Sequence, residues 1–170
     1  MAHYHFGYLF NPDRTIKFCS PAGQLLKNFS FDCGTKYWGF SPLYPAIITN
    51  NGDGSLHLKA DSEWGSLVPE IEVFTSSDYI LECKVRNVVG TGKMSIRKTD
   101  DTWVNSPDIT SDGIYTFEYT GNIKEIHCGA NSDQNYEADY DYISLRDKNS
   151  NIVTYLGDTV RHIREVVTYG

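Results

Sequence analysis

Fifteen Lys and Arg against twenty-two Asp and Glu leave this 170-residue chain short of basic charge, at a formal net −7. A surface that grips a phosphate backbone needs the opposite balance, so no nucleic-acid partner is expected. Long apolar runs are also missing. None approaches the roughly 20 residues that cross a bilayer as a helix, so no membrane partner is expected. The first residues, Met1-Ala2-His3-Tyr4-His5, contain no basic stretch followed by an apolar one, so no secretory leader is expected. The reading is a soluble chain, either made in the cytoplasm or stripped of a leader.

Cysteine is scarce and scattered. Cys19, Cys33, Cys83 and Cys128 form no Cys-x-x-Cys pair, which leaves a zinc site unsupported. Four buried thiols in a reducing compartment are expected, with two structural disulfides as the alternative for an exported chain. The motifs of catalysis are missing too: no Gly-x-Ser-x-Gly elbow, no His-Glu-x-x-His and no phosphate-binding glycine loop. Gly90-Thr91-Gly92-Lys93 is too short for the last and reads as a hairpin turn. No enzyme is expected.

Aromatics, in contrast, are plentiful at 14%, with twelve Tyr. Their flat rings suit half-buried strands and contact surfaces. With 40% hydrophobic residues, the length allows one domain with its own core. Tyr4, Phe6, Tyr8 and Phe10 alternate with His3, His5, Gly7 and Leu9, which is the period of a strand with one aromatic face. Asn11-Pro12-Asp13-Arg14 is a turn, and Thr15-Ile16-Lys17-Phe18-Cys19 is the returning strand of a hairpin. Residues 1–23 therefore read as an N-terminal extension.

Nine candidate strands follow, over 25–31, 46–49, 55–60, 68–74, 79–85, 93–98, 114–119, 123–128 and 140–146. Between them lie turns such as Asn50-Asn51-Gly52-Asp53-Gly54 and Ser111-Asp112-Gly113. Short strands, regular turns and no strong helix predict an all-β sandwich over 24–147. Residues 148–170 form a C-terminal arm whose Ile163 and Val167 fit a short helix and a strand equally well.

The order of these elements resembles the galactose-binding-like jelly rolls, which include many carbohydrate-binding modules. The matching pieces are Leu26-Lys27-Asn28-Phe29-Ser30-Phe31 with Trp38 after it, Gly54-Ser55-Leu56-His57-Leu58, and Tyr79-Ile80-Leu81-Glu82-Cys83-Lys84-Val85. Gly113-Ile114-Tyr115-Thr116-Phe117 and the closing Asp141-Tyr142-Ile143-Ser144-Leu145 complete them, over about three quarters of the chain. The resemblance implies a jelly-roll β-sandwich. It also implies glycan binding in many members, and a calcium ion between the first and closing strands in others. Similar sandwiches occur in bacteriophage tails, fibres and capsid decorations.

Three departures favour a virion part: no leader, no attached catalytic domain, and extra aromatic segments at both ends. The expected function is accordingly a non-catalytic structural protein of a bacteriophage, in capsid or tail, made in the host cytoplasm. Its arms, at Tyr4, Phe6, Tyr8, Phe10, Ile163 and Val167, would dock on other virion proteins or on further copies of the chain. The alternatives are a carbohydrate-binding module, extracellular and with or without structural calcium, and a polysaccharide hydrolase.

Trp38, Trp64 and Trp103, with Tyr37 and Tyr44, lie near turns and are the candidate ligand-binding residues, because flat rings stack on the C–H faces of sugars. Polar residues surround two of them: Asp61, Ser62 and Glu63 beside Trp64, and Asp100, Asp101 and Asn105 beside Trp103. Core packing is the competing use of all five. Asp139 and Asp141, with Asp32 by way of the resemblance, are the candidate calcium ligands, since hard oxygen donors suit that ion. A solvated strand face would give the same pattern. His3 and His5 lack a third ligand, and His57, His127 and His162 stand isolated.

Overall fold

The computed structural model describes residues 24–148 and two short strands ahead of them, β1 (Tyr8–Phe10) and β2 (Ile16–Phe18). These two pair antiparallel, Tyr8 opposite Phe18, so a hairpin stands where the aromatic alternation places one. Tyr4, Phe6, Ile163 and Val167 lie outside the described residues, as does the helix-or-strand question of the tail.

Ten strands build the body: β3 (Trp38–Gly39), β4 (Ala46–Asn50), β5 (Leu56–Ala60), β6 (Ser66–Pro69), β7 (Phe74–Val89), β8 (Gly92–Arg97), β9 (Trp103–Asn105), β10 (Gly113–Ile123), β11 (Glu125–Ala130) and β12 (Glu137–Asp147). One sheet has the order β10-β7-β12-β5-β4 and the other β3-β6-β11-β8-β9. Every pairing is antiparallel. No helix occurs among the described residues. This is the expected all-β jelly-roll sandwich.

Alternation explains the core. Tyr79, Leu81, Cys83 and Val85 of β7 point inward, as do Met94 and Ile96 of β8 and Ile126 and Cys128 of β11. The closing strand β12 breaks the period. Its register against β7 shifts between Tyr140 and Tyr142. Tyr140 and Ile143, three apart, are therefore both buried, which is the signature of a bulge.

Residues 25–31, expected as the first strand, instead form bends and turns. Asn28 and Phe31 adopt left-handed backbone, with φ of 52° and 56°, which lies outside the range of regular strand backbone. The segment still lies beside β12, where the Leu25 N–H donates to the Leu145 carbonyl and the Ile143 N–H to the Phe29 carbonyl. Leu26 and Phe31 are buried there. The cysteine expectation is also corrected: Cys33 is disulfide-bonded, while Cys83 and Cys128 are free and buried in the core.

Candidate functional site

On the outer face of the β3-β6-β11-β8-β9 sheet, strand pairing assembles side chains that are far apart in sequence. Ser95 of β8 faces His127 of β11 on one side and Asn105 of β9 on the other. One step along, Arg97 lies between Glu125 and Trp103. At the other end Lys93 pairs with Gly129, whose opposite partner on β6 is Ser66. Since strand side chains alternate between faces, these residues share a surface while Met94, Ile96, Ile126 and Cys128 fill the core beneath them.

Glycine flattens the floor of this surface. A Cβ on Gly129 would stand 2.3 Å from the Gly65 carbonyl oxygen and 2.5 Å from Ser66 Cα. Its absence lets β11 approach the start of β6.

The result is a pocket of about 370 Å³, within the usual size of small-ligand sites, walled by Tyr44, Trp64 and Trp103 over a floor of Ser66, Ser95 and His127. Lys93 and Asn105 supply polar groups at its sides. Trp64 is 37% and Trp103 40% exposed. Three of the five aromatic residues expected to bind ligand thus meet in one place.

The other two do not. Trp38 is only 7% exposed; its indole N–H donates to the Asn28 carbonyl at 3.0 Å and its ring meets Phe31 edge-on at 5.1 Å. It belongs to the core, which corrects its assignment as a stacking residue. Tyr37 is half-buried, with the Lys27 and Lys36 ammonium groups 5.2 and 4.9 Å from its ring centre, and it borders a separate hollow with Phe40 and Val68.

His127 joins the pocket although nothing in its local sequence marks it. Its ring meets Trp103 edge-on at 4.9 Å and Tyr44 at 6.4 Å. Nδ1 lies 3.0 Å from the Ser66 hydroxyl. Nε2 lies 3.4 Å from Glu125 Oε2, close enough for attraction but without hydrogen-bond geometry. Burial holds its pKa below the ordinary histidine value, and Glu125 opposes that only in part. Arg97 is neutralised by Glu125 at 2.9 Å and Asp101 at 3.2 Å, and its guanidinium sits 5.8 Å from the Trp103 ring centre. The Lys93 ammonium rests over Trp64, 4.7 Å from the ring centre, and burial lowers its pKa.

The opposite sheet carries the candidate calcium ligands. Asp139 accepts hydrogen bonds from Asn51 at 3.1 Å and Asn87 at 2.7 Å, and lies 2.8 Å from His57 Nδ1. Burial alone would raise its carboxyl pKa, but these hydrogen bonds hold it lower. Asp141 pairs with Lys84 at 2.8 Å and Arg86 at 2.9 Å, and Arg86 also reaches Asp53 at 2.6 Å. Asp32 accepts from Ser30 at 2.7 Å. The expected trio is not brought together as a cation site: among the described residues, no group of three or more His, Cys, Asp and Glu is arranged to hold a metal ion.

No protein-family model and no curated protein sequence matches this chain. Solved structures do. An alanine mutant of the CBM29-2 module, studied for ligand recognition by family 29 carbohydrate-binding modules, matches with a TM-score of 0.55 at 14% identity, over 82% of this chain and 95% of that one. The sandwich is similar to family 29 carbohydrate-binding modules. A charge-reversal mutant of such a module gives a TM-score of 0.51 at 15% identity, over 76% of this chain and 94% of the other. A further family 29 module gives 0.51 at 15%, over 79% and 94%. At this identity the likeness is one of fold, and function has to be argued from the site.

Proposed function

We propose that this chain is a non-catalytic carbohydrate-binding module, and that the pocket between Trp64 and Trp103 is its glycan site. The observation that carries the reading is the pair of half-exposed indoles walling a floor of hydroxyl and imidazole groups. Sugars present apolar C–H faces and a rim of hydroxyls, so they match aromatic walls with polar groups between them. The fold likeness to carbohydrate-binding modules supports it. The Cys33 disulfide fits an oxidising, extracellular setting.

Binding rather than turnover is the activity. A glycosidase works with two carboxylic acids across the scissile bond, and neither Asp nor Glu lines this pocket. This reading, held as the alternative on sequence grounds, has more support from the pocket than the virion part has; no feature of the pocket speaks for docking on virion proteins.

The test is a glycan array followed by calorimetric titration of the full chain. Saturable binding is expected, lost or weakened at least about tenfold in Trp64→Ala and Trp103→Ala, since each removes a stacking surface. Binding untouched by both substitutions, or no binding to any glycan, would overturn the proposal.

A further inference from the structure

We propose that the pocket selects acidic sugars, those carrying a carboxylate on the ring, and that Lys93 is the residue that recognises the charge. The inference rests on the glycan-binding reading and adds the chemical class of ligand.

Four observations lead to it. The chain is acidic, with net charge −7, yet none of the residues lining the pocket is Asp or Glu. Lys93 is the lysine in that lining, and it has no carboxylate within 4.0 Å among the described residues, whereas the neighbouring Arg97 is ion-paired with both Glu125 and Asp101. Lys93 therefore has no directly paired counter-ion, and the group is half-buried, where a cation interacts more strongly than in open water. Asp108 acts on it only at longer range and is itself hydrogen-bonded by Asn131.

The position of the ammonium supplies the last step. It lies over a face of the Trp64 ring, 4.7 Å from the ring centre, and both residues line the pocket in which a sugar would stack. A ligand that takes this face displaces the cation from the ring. A neutral sugar offers hydroxyl groups in exchange. A carboxylated sugar offers a counter-charge at the edge of the ring that is stacking, so the same event that removes the cation–π contact creates an ion pair. Ser95 and Asn105 remain available to the other hydroxyls.

The experiment titrates the full chain with matched probes at low and high salt. Oligogalacturonate is set beside its methyl-esterified form, and 3′-sialyllactose beside lactose, with a cello-oligosaccharide as a plain neutral chain. The two pairs distinguish a uronate from a sialic acid as the source of the carboxylate. Expected is a preference of about tenfold or more for the charged member of at least one pair at low salt. It shrinks at high salt, disappears in Lys93→Met and survives in Lys93→Arg. Equal affinity within both pairs, or a preference unchanged in Lys93→Met, would overturn the inference. Neutral glycans bound alone, with loss in Trp64→Ala, would overturn it while leaving the glycan-binding reading intact. Binding of none of the probes by a chain that binds other neutral glycans on the array has the same meaning, and binding of no glycan at all sinks both.

Discussion

Trp103 stands edge-on to His127, ring centroids 4.9 Å apart and planes at 79°, although one lies on β9, the other on β11, and β8 runs between them. The imidazole is a buttress for one wall of the pocket. An edge-to-face pair contributes about 0.5–1.5 kcal/mol beyond simple burial. His127→Ala is therefore expected to weaken glycan binding by about threefold to tenfold, because Trp103 loses its fixed orientation. Calorimetry measures the affinity, and indole fluorescence anisotropy reads the wall directly. Unchanged affinity with unchanged anisotropy would mean that β9 orients the indole alone.

The same histidine couples stability to pH. Burial holds its folded-state pKa below the ordinary value of 6.5, so below that pH the unfolded chain takes up the proton more readily than the folded one. Stability is full above that value and falls as pH drops through it toward the folded-state pKa. The charged and polar groups facing the ring are Glu125, Arg97 and Ser66. Denaturant titrations from neutral to mildly acidic pH should show this decline in the native protein and a flatter profile in His127→Gln. Parallel profiles would place the titrating group elsewhere.

Asn28 organises the turn that replaces the expected first strand. Its side-chain amide donates to the carbonyls of Gly34 at 2.8 Å and Lys36 at 2.9 Å, and its Oδ1 accepts from the Cys33 N–H at 2.9 Å. The residue is fully buried with φ of 52°. Asn28→Gly keeps the backbone angle and removes the hydrogen bonds, so it isolates their contribution. A loss of about 2–4 kcal/mol is expected in urea unfolding, from buried backbone groups left without partners. A variant as stable as the native chain would show that water replaces the amide.

The two core thiols should be inert while the fold holds. Burial pushes Cys83 up to about 12, and raises Cys128 well above the ordinary thiol value. Iodoacetamide labelling mapped by mass spectrometry should leave both unmodified in native buffer and modify both in guanidinium. Cys33, being disulfide-bonded, should label only after reduction. Fast native labelling of Cys83 would indicate that the sheets part locally.

Much of this was legible in local pattern. Alternation and turn residues announce strands such as β5, β7, β8 and β10, because a strand needs only period two and a polar turn at each end. Trp64 and Trp103 stand out as candidate binding residues because large indoles sit among polar neighbours, where a core residue would not be expected. Trp38, grouped with them only because it too lies near turns, belongs to the core, since the Asn28 carbonyl that takes its N–H and the Phe31 ring against it come from a turn that local pattern reads as a strand.

By itself, then, the sequence determined an all-β sandwich with aromatic residues presented near its turns. Only the tertiary structure decided which of them form a site. Lys93 reads as part of a glycine turn and His127 as an isolated histidine between two core residues. Register makes them neighbours: Gly129 opposite Lys93 and Ser66, and Ser95 between His127 and Asn105. Such pairings join segments tens of residues apart and depend on how the two sheets bury their inner faces, a condition of the whole chain that no short stretch of residues contains.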